Sequence, residues 1–380
     1  MAHHTLTGTF GEEQEELRQV VRSFLSRHST EADVRGLMAT TAGYDPALWR
    51  RMGSELGLQG LAIPEQYGGS GFGCIELGIV FEEMGRTLLC APYLATVALA
   101  AEALLRSGDG AACEDLLPGI AAGETVATLA LTEEGGRWDE RGVTARAERA
   151  GGGWVVTGTK TYVPDGHTAD LVLVAARTRA GVGLFAVEAG ARGLDRTPLP
   201  TLDQTRKQAR LDFRAVPARL VGVEGAAWPV IERTLATAAV LLAAEQLGGA
   251  ARALELAVEY AGIRVQYGRP IGSFQAIKHL CADMLTEVES ARSAVYEGLW
   301  ALADDAAGRS ADVAVAAALA QAYCSDAYTR VAGDCVQIHG GIGFTWEHSA
   351  HLYVKRAKSS EVLLGTASYH RERLAVRLGL

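Results

Sequence analysis

The sequence predicts an α+β protein of three parts: a helical part, an all-β part and a second helical part. Apolar residues recur at three- and four-residue spacing through the first third of the 380-residue chain. Short β-branched segments between glycine-rich turns follow, and alanine-rich stretches suited to long helices fill the remainder. We therefore predict an N-terminal helical domain at residues 1–123, a middle β domain at 124–226 and a C-terminal helical domain at 227–380.

The N-terminal part is predicted to be helical from residue 12 to about residue 122. Helical spacing is clearest at 17–25 and again at 75–88. The segment at 57–73 carries one proline and a dense cluster of glycines, so we expect a structured loop between these helices.

Four runs in the middle part are rich in β-branched residues, namely ETVATLALTEE, WVVTGTKTYV, DLVLVAAR and GLFAVEA. They predict the strands of a small all-β domain that ends near residue 223. Beyond it, long helices are predicted over residues 230–264, 275–306 and 310–333.

Composition excludes several classes of protein. The chain has 45 acidic against 36 basic residues, a formal charge of −9, which argues against nucleic acid as the main partner. It shows neither a signal-peptide pattern nor an apolar run of about 18 residues, so we expect a cytoplasmic protein that does not enter a membrane. The six cysteines lack metal-ligand spacing and are expected to be free thiols, and the histidines form no zinc pattern. His3 and His4 are assigned no role.

Two segments of the C-terminal part have the composition of a binding site for an anionic cofactor. Arg264 ends a long predicted helix, and a turn with Arg269 leads to Ser273, the expected N-cap of the next helix, with Gln275 just beyond it. An ordinary turn with solvated arginines remains the alternative. The second segment, QIHGGIGFTWEH, follows a helix end and has bare glycine backbone that a ligand could approach. By itself, this segment is equally typical of a helix C-cap followed by a loop.

Six collinear segments resemble the acyl-CoA dehydrogenase family of flavoproteins over almost the whole chain. The six segments are LAIPEQYGGSGFG, LALTEE, TGTKTYVPDG, AVEYAGIRVQYGRPIGSFQAIKH, QIHGGIGFTWEH and LLGTASYHRERLA. The resemblance implies a β-barrel-like middle domain and a C-terminal four-helix bundle, with FAD in the cleft between them.

The resemblance also assigns FAD contacts to individual residues. Arg264, Tyr267 and Gln275 would contact the diphosphate and adenine side, and a neighbouring subunit would close the same site with Gln337, Gly340 and Gly341. The flavin ring would lie against Leu129, Leu131, Thr132 and Tyr162, and Thr366 would also bind FAD.

Two residues on the flavin side depart from the family pattern. Tyr162 stands where the family commonly has tryptophan, and a barrel-core aromatic is its alternative role. Pro164 stands where a hydroxyl residue is usual, and proline cannot donate a hydrogen bond.

The catalytic base is missing from the positions that the family uses. Dehydrogenation of an acyl thioester needs a carboxylate that takes the α-proton while hydride leaves the β-carbon. By the resemblance, that glutamate falls on Leu364 or, in a subset of the family, on Ala238, and neither side chain accepts a proton. Glu245, two helical turns beyond Ala238, is a candidate base, and a structural carboxylate paired with an arginine is the alternative.

The substrate side of the pattern is altered as well. By the resemblance, Trp138 stands where the family has a serine near the thioester's pantetheine, and Ala239 stands where it has an arginine in the same region. Both changes remove side chains with which the family usually binds CoA.

Three functions remain open at this point: FAD-dependent α,β-dehydrogenation of an acyl thioester, a non-catalytic subunit of a heteromeric acyl-CoA dehydrogenase, and a repurposed flavoprotein on the same fold. The resemblance implies an acyl-CoA or carrier-bound thioester as substrate and an electron-transferring flavoprotein as acceptor. It further implies either a homo-oligomer or a heterotetramer with a related subunit.

Overall fold

The computed structural model describes residues 11–309 and 312–380 and confirms the order of a helical, a β and a helical part. His3 and His4 lie outside these residues. The six cysteines are free thiols, and four of them are buried.

The N-terminal part is a layer of helices built around one almost fully buried helix, α4. Its helices are α1 (Glu12–His28), α2 (Glu31–Met38), α3 (Pro46–Leu56), α4 (Cys74–Arg86), a π-helix (Leu94–Ala101), α5 (Glu102–Arg106) and α6 (Gly110–Ala121). The expected loop after α3 begins at Gly57, whose φ of 63° is the left-handed conformation that commonly ends helices.

The middle part is one seven-stranded sheet. Its strands are β1 (Ala127–Ala130), β2 (Arg146–Ala150), β3 (Gly153–Pro164), β4 (Leu171–Arg177), β5 (Val182–Glu188), β6 (Leu194–Pro198) and β7 (Gln208–Val221). Strand β4 pairs with β5, β5 with β7, β7 with β3, β3 with β2 and β2 again with β4. This circuit closes on itself, so the domain is barrel-like, while β1 and β6 pair with β4 and β7 from outside the circuit.

The C-terminal part packs around α7, the longest described helix. Its helices are α7 (Ala227–Ile263), α8 (Gln275–Ala306), α9 (Val313–His339), α10 (Ala350–Val362) and α11 (Ala367–Leu378). A short hairpin, β8 (Val265–Gln266) with β9 (Arg269–Pro270), joins α7 to α8. The expected N-cap at Ser273 is wrong, because Ser273 lies in a 3₁₀ turn and Phe274 precedes α8.

Helices α4 and α7 cross with their backbones in contact. A Cβ atom on Gly85 would lie 1.9 Å from the Glu245 carbonyl oxygen, and one on Gly248 would lie 1.8 Å from that of Glu82. Only glycine permits this approach. The crossing places Glu245 at the junction of the N-terminal and C-terminal parts.

Among the described residues, α7 is the one helix long and apolar enough to cross a bilayer, and 61% of its most apolar stretch is buried within the protein. The core helix of a folded protein has these same properties.

Candidate active site

A pocket between the barrel, the π-helix and the start of α7 contains the residues predicted to face the flavin ring. We call it the ring pocket. It is lined by Leu129, Leu131, Thr132, Tyr162 and Pro164 from the barrel, and by Leu99, Trp138 and Leu235. The structure therefore brings together all four residues assigned to the flavin ring.

Hydrogen bonds at the end of β1 hold the ring pocket in shape. The Thr132 hydroxyl donates to the Thr161 carbonyl at 2.6 Å, which leaves its lone pairs able to accept from a ligand N–H. The fully buried Lys160 ammonium donates to the Leu131 carbonyl at 3.0 Å and to Glu133 at 2.8 Å. Burial lowers the pKa of Lys160 to about 8, against the attraction of Glu133.

Tyr162 is directed by a bulge in β3. The register between β3 and β7 shifts between Lys160 and Val163, and Tyr162 has a φ of 57°. Bulges re-aim side chains in this way and are common beside active sites. The side chain is 44% exposed, so the alternative role as a barrel-core aromatic is wrong.

The loop before α11 lies close to the ring pocket. Thr366 accepts a hydrogen bond from the Tyr369 N–H at 3.2 Å, and the Tyr369 hydroxyl donates to the Trp138 carbonyl at 3.3 Å. Leu364 is buried with a φ of 61°, and its carbonyl bonds the His370 ring at 3.0 Å. Burial lowers the pKa of His370 to about 4, so this ring is neutral at physiological pH.

A second group of predicted FAD residues lies on the solvent-exposed end of the helical bundle. We call this group the exposed end, and its members are Arg264, Tyr267, Gln275, Gln337, Gly340 and Gly341, all of them exposed. The rings of Tyr260 on α7 and His339 on α9 stack with centroids 4.4 Å apart, which brings the two segments together.

The exposed end offers binding groups that the chain itself leaves unused. The Arg264 guanidinium makes no ion pair or hydrogen bond to another described side chain, and Tyr267 is 93% exposed. A Cβ atom on Gly340 or Gly341 would meet nothing within 4 Å, so the backbone there is open to a ligand.

The ring pocket and the exposed end lie far apart on one chain. Leu235 lines the ring pocket and Tyr260 lies at the exposed end, twenty-five residues further along α7. At 1.5 Å per residue they are about 37 Å apart, which exceeds the length of an FAD molecule. The structure therefore does not bring Arg264, Tyr267 and Gln275, or Gln337, Gly340 and Gly341, together with the ring pocket of the same chain.

Glu245 lies in a buried ion-pair network, which we call the Glu245 cluster. Its carboxylate binds the Arg206 guanidinium and accepts from Arg356 at 2.6 Å. Arg356 also pairs with Asp203 at 3.0 Å and donates to the Thr205 hydroxyl at 2.6 Å. All five of these side chains are more than nine-tenths buried.

The surroundings of Glu245 favour its charged form. Burial by itself would raise the pKa of this carboxyl, but Arg206 and Arg356 outweigh it and hold the pKa below its usual value. A carboxylate held in this way is a weak proton acceptor. Ala238 and Leu364 are both buried and apolar.

Comparison with known proteins identifies the family. Three family models cover the chain: the acyl-CoA dehydrogenase N-terminal domain over residues 11–124, the middle domain over 128–216 and the C-terminal domain over 225–379. The chain belongs to the acyl-CoA dehydrogenase family. Members of this family are oxidoreductases that act on CH–CH groups of acyl-CoA.

Curated relatives match over nearly their full length. Acyl-CoA dehydrogenase IpdE2 of Mycolicibacterium smegmatis is 35% identical over 96% of this chain and 98% of its own. Acyl-CoA dehydrogenase FadE27 of Mycobacterium tuberculosis is 33% identical over 97% of this chain and 98% of its own.

Solved structures of acyl-CoA dehydrogenases share the fold. The ChsE4-ChsE5 complex of Mycobacterium tuberculosis matches with a TM-score of 0.88 and 32% identity over 98% of both chains. A variant of the Tcur3481-Tcur3483 steroid ACAD matches with a TM-score of 0.86 and 34% identity, over 98% of this chain and 99% of that one.

Sequence reasoning missed two parts of the site. Arg206, Arg356 and Asp203 come from three separate segments, so no local motif could show that they meet at Glu245. Asp165, directly after Pro164 in TGTKTYVPDG, lines a pocket together with Glu245 and Arg356 and was also missed. Within residues 11–309 and 312–380, no group of three or more His, Cys, Asp or Glu side chains is arranged to hold a metal ion.

Proposed function

We propose that this chain is an FAD-binding subunit of an acyl-thioester dehydrogenase in which a second, related chain supplies the base that removes the α-proton. The family membership supports acyl-CoA dehydrogenation as the general activity. The proposal adds that the FAD site and the catalytic base come from two different chains.

One observation carries this proposal: none of the three candidate base positions holds a carboxylate that is free to accept a proton. Leu364 and Ala238 are apolar, and Glu245 is paired with two buried arginines. An effective base needs a pKa near the working pH, and the arginines move the pKa of Glu245 in the opposite direction.

The residues of the ring pocket and the exposed end fit FAD. Thr132 can accept from a flavin N–H, Tyr162 can lie beside the ring, and the bare backbone at Gly341 can approach a diphosphate. Arg264 supplies an unpaired guanidinium suited to phosphate. FAD, when bound, supplies the hydride acceptor for the reaction.

Two features support an assembly of related subunits. The distance between the ring pocket and the exposed end supports an FAD site that a neighbouring subunit completes, whether that subunit is a second copy or a related chain. In addition, two of the structural relatives carry paired names, the ChsE4-ChsE5 complex and the Tcur3481-Tcur3483 steroid ACAD. From the names of these relatives we propose a bulky acyl group as the substrate. From the family we propose a cytoplasmic location and an electron-transferring flavoprotein as the electron acceptor.

The test is anaerobic bleaching of the bound flavin by acyl-CoA thioesters, from short straight chains to steroid side chains. The FAD-loaded chain alone should stay yellow. Leu364→Glu should create bleaching because it restores a carboxylate at the family's usual position, whereas Leu364→Gln, of the same size, should not. Full bleaching of the wild-type chain alone would overturn the proposal, and its loss in Glu245→Gln with FAD retained would identify Glu245 as the base.

A further inference from the structure

A second pocket adjoins the ring pocket at Pro164, which lines both. One wall is apolar and comes from α4 and the segment after it, with Phe81, Met84 and Leu94. The other wall is polar and consists of Asp165, Thr205, Arg206, Glu245 and Arg356. An acyl group that starts in the ring pocket and extends past Pro164 therefore ends against buried polar side chains.

Asp165 is the polar side chain of this second pocket for which the described residues provide no hydrogen-bond or ion-pair partner. It is 8% exposed, and its carboxyl group makes no hydrogen bond to another described residue. Its backbone is held in place, because its N–H donates to the Lys207 carbonyl at 3.0 Å. A carboxyl group at this depth with no protein partner needs water or a ligand to satisfy it.

The charged side chains that line this pocket balance without Asp165, because Arg206 and Arg356 are matched by Glu245 and by the neighbouring Asp203. Lys207, a third nearby cation, does not line the pocket and donates to the Met38 carbonyl at 2.8 Å. Burial raises the pKa of Asp165 to about 7, although Arg206, Arg356 and Lys207 oppose the shift. A neutral carboxyl group donates one hydrogen bond, and a ligand carboxylate at this place would add an uncompensated negative charge.

The free space beside Asp165 is small. The second pocket has a free volume of about 20 Å³, which suits one water-sized group. A single oxygen atom on a ligand fits this volume, and so does a structural water.

We propose that the second pocket recognises an uncharged oxygen, a keto or hydroxyl group, on the part of the acyl chain distal to the thioester, and that Asp165 donates the hydrogen bond. The proposal rests on the proposed function, since it requires the acyl group to lie in this chain. It adds the substrate class: an oxygenated acyl thioester rather than a plain hydrocarbon or a dicarboxylic one.

The experiment measures binding by isothermal titration calorimetry on the oxidised, FAD-loaded protein, so it needs no turnover. It is run at about pH 6, below the pKa of about 7 of Asp165, so that this carboxyl group is mostly protonated. The probes are CoA thioesters of six, eight and ten carbons, each as a plain chain, with a keto group on the second-last carbon, or with a terminal carboxylate. At one chain length at least, the keto probe should bind about 2- to 10-fold more tightly than the plain one, as one neutral hydrogen bond provides.

Two substitutions separate the hydrogen bond from the shape of the backbone. Asp165 has a φ of 52°, a conformation that glycine and asparagine tolerate. Asp165→Gly should abolish the preference for the keto probe, and Asp165→Asn, whose amide still donates, should keep part of it. Leu94→Val, on the apolar wall, is the control and should weaken all probes by the same factor.

Three results would overturn the inference while the proposed function stands: equal affinity for plain and keto probes, a preference that survives in Asp165→Gly, or tightest binding of the carboxylate probe. Equal affinity would assign Asp165 to a structural water. Failure of every probe to bind would instead reject acyl binding in this chain, and with it both proposals.

Discussion

The middle and the C-terminal end of α7 differ in how the protein handles charge. Glu245 is fully enclosed, and each arginine that touches it has further partners within the chain. Arg264, nineteen residues further along, faces solvent and has no ion pair among the described residues. The middle of α7 therefore holds a charge that the fold must compensate, and the residue that caps its C-terminal end holds a charge with no ion pair among the described residues.

This difference separates structural residues from binding residues. A buried charge must be compensated inside the chain, so Glu245, Arg206 and Arg356 form a unit that resists change. An exposed charge gains little from folding, so Arg264 can be replaced with little effect on stability.

The largest expected effect is the loss of stability in Glu245→Gln. The amide leaves two buried arginines without their common counter-charge, which costs about 3–5 kcal/mol. Denaturant unfolding measures this loss. The control is Glu361→Gln, because Glu361 pairs with Lys358 at a partly exposed site and should cost less than about 1 kcal/mol. Equal stability of wild type and Glu245→Gln would show that the cluster is not structural.

The second prediction concerns the pH dependence of stability at Asp165. The pKa of an unfolded aspartate is about 4, and burial raises that of Asp165 to about 7. Because the folded state then holds a proton that the unfolded state has released, stability falls as pH rises from about 4 to about 7.

Asp165→Asn should remove this fall, since the amide does not ionise. The variant should match wild type near pH 4 and exceed it by about 2–4 kcal/mol at pH 8, because each tenfold change in proton affinity corresponds to about 1.4 kcal/mol. Denaturant unfolding at a series of pH values gives the comparison. The exposed Asp283→Asn should show no such trend, and an unchanged pH profile in Asp165→Asn would mean that Asp165 is ionised in the folded protein.

The third prediction moves to the exposed end, where Arg264→Ala should release FAD without unfolding the chain. Losing a charge-assisted contact to the diphosphate costs about 2–3 kcal/mol, which is about 30- to 150-fold in affinity. The ratio of flavin to protein absorbance measures it. Arg192→Ala, an exposed arginine of the β domain, is the control. An unchanged ratio in Arg264→Ala would remove this residue from the FAD site.

The smallest expected effect is that of Gly341→Ala. A methyl group there meets nothing within 4 Å in the isolated chain, so stability should not change. If the neighbouring subunit's FAD lies against this backbone, the added methyl should cost about 1 kcal/mol, or about fivefold in FAD affinity. Gly333→Ala on α9, which is equally open, should leave FAD binding unchanged. A monomeric form that retains all its FAD would contradict sharing of the site between subunits.

The class of fold could be predicted from the sequence alone, and so could four of the residues that line the ring pocket, although Leu99 and Leu235 were not. Leu129, Leu131 and Thr132 belong to one short motif and Tyr162 to another, so the family resemblance of two local segments was sufficient to place them together. The order of helical and β parts is likewise a local property, because the period of apolar residues changes where the structure type changes.

The state of Glu245, the isolation of Asp165 and the distance between the two groups of FAD residues depend on the folded chain. Arg206 and Arg356 lie 39 and 111 residues from Glu245 along the chain, and no local pattern records which charges a fold brings together. The pKa values follow from these contacts and from burial, so they too appear only once the chain has folded. The length of α7, 37 residues, separates the ring pocket from the exposed end, and only the folded chain shows which residues lie at each.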